Sequence, residues 1–543
     1  MKSFRNSGLF VCLLLISASL SAQKKALESI TIPDLRNHIS FLASDELEGR
    51  ATGEDGLNIA ARYIACQAEH TGLNPVEGEN GFFQYYTLVD RSYNWDQCSI
   101  ITEKPSGQVE NNDHFFVFPA LEESSLELSG EVVFAGYGIK DESNHYNDLE
   151  GLDLEGKIVL FMNRAPMNED GTECLFGPTW LRMENLDLKV ENLAAMKPRA
   201  LFMVMDPKSG FNSLTDMVPG IERYFSKSRT LKGEARGPQV GDGGTKVVFI
   251  NRSVADQILE GTGKTLAELQ KEIDSSLEPH SFQLEGTRVE MNVSMNIEEK
   301  AIPNVFGYIE GSDPDLKEEM VIYMAHFDHI GTNDDGEVFN GADDNASGTV
   351  ALLEIAEAYM KEKKKPERSV GFLWVSGEEI GLFGSSYFAN NPMVPIESIA
   401  AVINLDMVAR TINEEDMEAG RKHMTIVGED SVKVIGGLQS KVLMDINTRT
   451  LEAMGLKGNY TYNDMNHPDR YFFRSDHINF ARKDIPVLYY STGTHSDYHK
   501  ISDEVEKLDF NKFLHMTKFT FMVGFNTANY KGEITVDHPM STW

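Results

Sequence analysis

The chain has 543 residues, with 84 Asp+Glu against 50 Lys+Arg and a formal net charge of −34. That surplus argues against nucleic acid and anionic membrane surfaces as partners, because both repel it; otherwise it serves solubility. At roughly 150 residues per domain the length allows two or three domains, and 41% hydrophobic residues can build a real core, which excludes a disordered polymer.

Residues 1–22 read as a signal peptide. Lys2 and Arg5 form a positive start, Leu9 to Leu20 an apolar stretch, and Ser19, Ser21 and Ala22 a small-residue cleavage region. The stretch is too short to span a bilayer, and no later segment approaches 18 apolar residues. Export to a periplasmic or extracellular compartment, bacterial-type, is therefore expected. After cleavage Cys66, Cys98 and Cys174 remain. An odd, sparse set is no disulfide framework, though one bridge is possible. The absence of CxxC argues against a thiolate zinc site.

Two helices are expected next. Pro33 to Ala43 carries Pro at an early position. Gly56 to Thr71 has apolar residues at helical spacing and Gly72 as a stop. Between about 125 and 285, short β-rich pieces (Glu131–Ile139, Lys157–Met162, Ala200–Met205, Lys246–Ile250) alternate with loops of Gly, Asp and Asn, as in a separate small domain. From about 287 the apolar runs Met320–Ala325, Ser369–Val375, Ala400–Leu405 and Ile485–Ser491 read as strands buried on both faces, with a helix at Ala346–Tyr359 among them. That alternation predicts an α/β fold, a mixed, mostly parallel sheet flanked by helices. Phe510–Phe525 closes the chain as an amphipathic helix with Asp509 as N-cap. The predicted layout is 1–22 signal, 23–124 first part of the main domain, 125–285 insert, and 286–543 main part.

Acids and histidines gather at the ends of the predicted strands. In Ala325-His326-Phe327-Asp328, residues two apart share a side, so a carboxylate stands where it can orient a histidine ring. Asn340-Gly-Ala-Asp343-Asp344-Asn345-Ala-Ser-Gly348 runs into a helix, where an acid also serves as a cap. Glu378 and Glu379 follow the strand ending at Val375; adjacent glutamates there are costly unless a cation meets them. One of the pair can ligate while its neighbour takes a proton from metal-bound water. Asp406 ends a further strand in Ile403-Asn404-Leu405-Asp406-Met407. His495-Ser-Asp497-Tyr498-His499-Lys-Ile-Ser-Asp503 follows the last. Open α/β sheets place their sites at such strand ends. Two histidines and three carboxylates beside a spare Glu are a ligand set for two divalent ions bridged by a carboxylate. Mixed His/carboxylate ligation favours Zn2+, with Co2+ or Mn2+ as substitutes.

The motifs HxD, GADDNASG, SGEE, NLDM and YHxxxD, in this order, resemble the M28 family of di-zinc peptidases, which includes leucyl-type aminopeptidases and glutamate carboxypeptidases. FLASDELEGRATG at 41–53 resembles the same family. GYGI at 136–139 and LDLEGKIVL at 152–160 resemble a protease-associated (PA) domain, carried by many members as an insert. The resemblance implies a zinc exopeptidase fold in which His326 and Asp406 hold one zinc, Glu379 and His499 the other, and Asp344 bridges both. It makes Glu378 the general base, then the acid to the leaving amine, and Asp328 the orienter of His326. His495 competes with His499 for the last ligand position, and the YHxxxD match favours His499. Asp343 is expected to be structural. Arg474 and Arg410 each suit either a substrate carboxylate or an internal ion pair.

Three lookalikes carry no chemistry. Gly261-Thr-Gly263-Lys264-Thr265 imitates a phosphate loop, but Ile258 stands where the first Gly is needed. The sequon at Asn345 falls inside the proposed site, and Lys361–Lys365 reads as a solvated helix end. The expected function is a secreted aminopeptidase acting on short peptides. The alternatives are a carboxypeptidase or dipeptidase, a glutaminyl-cyclase-like enzyme with one zinc, and a binding protein built on the PA-like domain with a structural metal.

Overall fold

The computed structural model describes residues 23–542 except 79, 112, 119–120, 122, 218–226, 234–244 and 419–424. The segment read as a signal peptide lies outside the described residues. The chain forms two compact units, Met1–Thr87 with Ala301–Trp543, and Leu88–Lys300.

The first unit is built on a sheet in the order Lys457–Asn459, Ser431–Gly436, Val487–Ser491, Ile399–Leu405, Met320–His326, Ser369–Val375 and the end of the long strand Phe282–Ile309. Its four central strands run parallel, and Ser431–Gly436 and the end of Phe282–Ile309 pair antiparallel at the flanks. Met320–His326 (MVIYMAH) and Ser369–Val375 (SVGFLWV) are buried at every position, as strands covered on both faces must be. Each fully buried Leu, Ile or Phe there contributes about 1.5–3 kcal/mol. Helix Gly348–Lys361 packs beside Phe510–Ala528 on one face. Asp509 caps the latter by accepting from the N–H groups of Asn511 and Lys512. Ile32–Leu42 and Asp55–Thr71 are the two early helices, the second stopped by Gly72 in the left-handed region.

The second unit centres on four parallel strands, Ser125–Phe134, Ile158–Met162, Ala200–Val204 and Val247–Ile250. Its bounds are wider than 125–285 because Ser99–Lys104 pairs antiparallel with residues 288–292. Such half-exposed strands alternate polar and apolar residues and join through partners distant in sequence. Thr265 and Glu268 form a reciprocal capping box on helix Leu266–Ser276, so the Gly261–Thr265 lookalike is a helix entry. Cys66, Cys98 and Cys174 are all free. No described helix is long and apolar enough to cross a membrane.

Candidate metal centre

Parallel strands put their carboxyl ends on one side, and there the chain changes direction into loops whose side chains converge. His326, the last residue of its strand, is 1% exposed. Its Nε2 is 3.6 Å from Asp344 Oδ1 and 3.5 Å from Asp406 Oδ1. Nδ1 faces Asp328, at 3.2 Å from the backbone oxygen and 3.6 Å from Oδ1. On the other side of Asp344, Oδ2 is 3.2 Å from His499 Nε2, which also lies 3.1 Å from Glu379 Oε2. His329 Nδ1 completes this side, 2.8 Å from Glu379 Oε1 and 3.7 Å from Asp344 Oδ2. Two groups able to hold an ion therefore share Asp344: His326, Asp344 and Asp406, and His329, Asp344 and Glu379, with His499 against the second.

The loops are held by their own polar atoms. Gly341 has φ +53°, and a Cβ there would lie 2.1 Å from Asp344 O and 2.5 Å from the His329 ring. A side chain at Gly348 would meet Asn345 Oδ1 at 2.4 Å and Leu405 O at 2.6 Å, so the helix can start only with glycine at this point. Asn345 ties the Asp344 loop to the Asp406 loop: its Nδ2 donates to Leu405 O (2.9 Å) and its Oδ1 accepts from Met407 N (3.1 Å). The Asp503 carboxylate accepts from the N–H of Asp343 and of Asp344. Asp343 itself accepts from Ala409 N (2.7 Å) and faces His495 Nε2 at 3.3 Å. His495 and Asp343 therefore form a separate pair, and His499 alone of the two C-terminal histidines meets Asp344 and Glu379.

Asp328 accepts from Thr52 Oγ1 (2.8 Å) and from the N–H of Glu378 (3.2 Å) and Glu379 (3.4 Å). It thereby sets the turn that presents both glutamates. Ser475 Oγ donates to Asp406 Oδ2 at 2.8 Å, leaving Oδ1 toward His326. Arg50, 1% exposed, donates to Leu42 O, Phe327 O (2.9 Å), Asn340 O (2.7 Å) and Gly341 O (3.1 Å), stitching the His326 and Asp344 loops together. Burial lowers its pKa to about 10, against the pull of Asp328, Asp344, Asp503 and Glu379.

The acids are held unequally. Burial, with His326 opposing and Glu379, Asp476 and Asp406 adding, holds Glu378 well above the usual carboxylate range. Glu379, despite burial, is pulled below that range by hydrogen bonds from His329 and His499. Burial and then Glu379 raise Asp344 to about 6. So Glu378 is the acid without a basic partner at hydrogen-bond distance, and Glu379 the one fixed at both oxygens.

Of the two ambiguous arginines, Arg410 is buried and donates to Asp497 Oδ2 at 2.8 Å. Arg474 is exposed and stacks on Tyr471, with its Cζ 4.9 Å from the ring centroid. His329 and Arg50 went unread in the sequence. His329 had a signal in HFDH, a second histidine three residues after the first. The four acceptors of Arg50 are backbone carbonyls, which no residue type reveals.

A buried cluster of histidines and carboxylates at the carboxyl ends of a parallel sheet, split into two groups by one shared aspartate, is a candidate centre for divalent metal. The family comparison agrees with that class: residues 304–523 match the model of peptidase family M28, so this part of the chain is an M28 peptidase domain. It is similar to a probable leucine aminopeptidase of Arthroderma otae, 26% identical over 39% of this chain and 54% of the relative. It is also similar to aminopeptidase Y of Saccharomyces cerevisiae, 24% identical over 45% of this chain and 44% of the relative. A glutamate carboxypeptidase 2 homolog of Caenorhabditis elegans is 34% identical over 24% of this chain and 16% of the relative. The chain thus spans about half or less of the length of these relatives. Among solved structures, an aminopeptidase from Aneurinibacillus sp. strain AM-1 aligns over 95% of this chain and 98% of its own, at 17% identity and TM-score 0.49.

Proposed function

We propose that the chain is an exported di-zinc exopeptidase, an aminopeptidase acting on short peptides. The observation that carries this reading is the shared Asp344 between two buried His/carboxylate groups, with Glu378 left unligated beside them. The donor set suits the ions. Asp344 Oδ2 and His329 Nε2 are buried without a hydrogen-bond partner, and carboxylates so placed demand cations. His326 and Asp406 would hold one ion, Glu379 and His499 the other, and Asp344 would bridge. Bound there, zinc supplies a Lewis acid and lowers the pKa of water.

The chain's own residues do the rest. Glu378 takes a proton from the attacking water and returns it to the leaving amine. Asp328 holds the Glu378 N–H and faces Nδ1 of His326, fixing base and ligand from one carboxylate. Ser475 keeps Asp406 turned toward His326. The composition of residues 1–22 supports export, and the GYGI and LDLEGKIVL segments support a PA-like identity for the second unit.

The test is Glu378→Gln, assayed on peptides with free and with blocked N-termini. We expect turnover to fall by about 10³-fold or more, given typical general-base contributions of about 10²–10⁴, while bound zinc stays near that of the parent. Full activity in the variant would remove Glu378 as the base. Cleavage of N-blocked but not free peptides would turn the reading to a carboxypeptidase.

A further inference from the structure

Beside the centre lies a second chemical feature, made of residues that are neither metal ligands nor the base. Leu405 is opposite Tyr490, Tyr490 is opposite Val434, and Ser491 is opposite Lys433. Asp406, one residue past Leu405, thus stands level with Ser491 and with Lys433, two strand spacings away. At about 4.8 Å per spacing the backbones of Asp406 and Lys433 are about 10 Å apart.

Lys433 is 1% exposed, and its ammonium has no hydrogen-bond partner. What surrounds it is aromatic: Nζ is 4.2 Å from the Tyr462 centroid and 4.5 Å from that of Tyr471. The carboxylate that acts on it electrostatically is Asp469, whose side chain is 55% exposed. A second cation, Arg474, sits on the same Tyr471 ring, exposed, with no ion pair or side-chain hydrogen bond among the described residues. Tyr471 is itself fixed, its hydroxyl shared with Thr494 and with Thr425 at 3.1 Å. Ser475, next to Arg474, holds Asp406.

A buried ammonium without a counter-ion costs several kcal/mol, and ring faces offset only about 2 kcal/mol of that. An anion at this place removes the deficit. We propose that Arg474 and Lys433, walled by Tyr471 and Tyr462, form a subsite for a carboxylate of the substrate. The inference rests on the peptidase reading above. Arg474, the accessible partner, makes the contact, and its planar fork suits a carboxylate. Lys433, whose pKa burial lowers to about 7, adds positive charge from behind the rings once an anion is there to hold its proton. The separation of about 10 Å from Asp406 matches an extended di- or tripeptide at about 3.5 Å per residue. The carboxylate is then either the substrate's own C-terminus or an acidic side chain.

Four peptides with free N-termini separate these sources: Leu-Gln, Leu-Gln-amide, Leu-Glu-amide and Leu-Glu. Kinetics on the zinc-loaded protein should favour Leu-Gln or Leu-Glu-amide over Leu-Gln-amide by at least about tenfold in kcat/KM, through KM. The preferred peptide names the source. In Arg474→Gln that ratio should fall to near one, and Arg474→Lys should restore part of it. Lys433→Met should lower it about threefold, with thermal unfolding checking that the variant is folded. The inference is overturned if the parent protein shows no preference for either carboxylate, or if the preference survives in Arg474→Gln. Calorimetry with glutarate decides the subsite without turnover: binding lost in Arg474→Gln supports it, and binding unchanged there overturns it. Hydrolysis of none of the peptides, with glutarate binding that depends on Arg474, would sink the peptidase reading and leave the subsite standing.

Discussion

Two buried polar clusters in this molecule follow opposite rules. In the second unit Arg164 donates to both oxygens of Asp206, at 2.6 and 2.9 Å. Gln270 donates to Asp206 and to the Tyr137 hydroxyl, Tyr137 donates to Asp274, and Lys208 Nζ lies 2.8 Å from Asp274. Nearby, Tyr146 donates to Asp148 at 2.7 Å. The cations Arg164 and Lys208 answer Asp206 and Asp274, so the network balances its own charge and serves stability. At the strand ends of the first unit, Asp344, Asp406 and Glu379 converge on histidines alone, with no Lys or Arg paired to them among the described residues. A charge-balanced network is a structural device; acids gathered around neutral rings reserve room for something positive.

The sharpest way to break that comparison is to remove the shared acid. Asp344→Asn should reduce bound zinc below one ion per chain, read by elemental analysis, and cut peptide turnover by about 10³-fold or more. Under the proposed assignment, losing Asp344 takes away a ligand of both ions together with the transition-state stabilisation they would supply. Two bound ions with unimpaired turnover in this variant would dissolve the distinction. The second unit should answer differently. Arg164→Met strands Asp206 in the interior and should cost about 3 kcal/mol of stability, in the range for breaking a buried pair. Urea unfolding reads that loss, and zinc content should stay at the parent level. A fall in zinc content would show that the two clusters are not independent.

A smaller effect separates ligands from the side chains that aim them. His329 Nδ1 binds Glu379 Oε1, while His499 faces Oε2. Under the proposed assignment His329 holds Glu379 rather than the ion. His329→Gln should weaken zinc about 10–100-fold, the usual cost of losing an outer partner. A competition titration against a chelator measures this. Loss of one ion outright at saturating zinc would instead make His329 a ligand.

The ease of reading the centre from sequence follows from where its information resides. His326, Glu379 and Asp406 lie at or just past the end of an apolar run, so strand placement brings them to one end of a sheet, whereas Asp344 leads into the helix Gly348–Lys361 and His499 lies in the loop after Val487–Ser491. Pairing choices need geometry. Only the distances separate His495, which meets Asp343, from His499, and Arg410, which meets Asp497, from Arg474. Arg50 was invisible because it reaches carbonyls at 327, 340 and 341, between 277 and 291 residues away. The long strand Phe282–Ile309 was hidden for a related reason. Much of it alternates buried and exposed residues, and its neighbours lie far off in sequence, so neither a continuous apolar run nor a nearby turn announces it.

A pH-dependent effect asks whether a buried acid outside the centre obeys the same rule. Glu354 lies on helix Gly348–Lys361, which starts at the Asp344 loop. It is 1% exposed, its Oε1 has no hydrogen-bond partner, and His38 Nε2 is 3.6 Å away. Burial, then Asp34 and Glu357, raises its pKa from 4.5 to about 8. The folded chain therefore keeps a proton that the unfolded chain releases between these two values. Stability tied to this group is fully present below pH 4.5 and is lost as pH rises through about 8. Glu354→Gln mimics the protonated form and should be indifferent to pH across that window. Its advantage over the parent should start near zero at pH 4.5, grow with pH and level off above pH 8. A shift of that size sets an upper bound of about 5 kcal/mol on the plateau. Unfolding at a series of pH values measures the gap. A gap that stays constant with pH would mean that Glu354 is charged and paired in the folded chain, and His38, the nearest base, would then be its counter-ion.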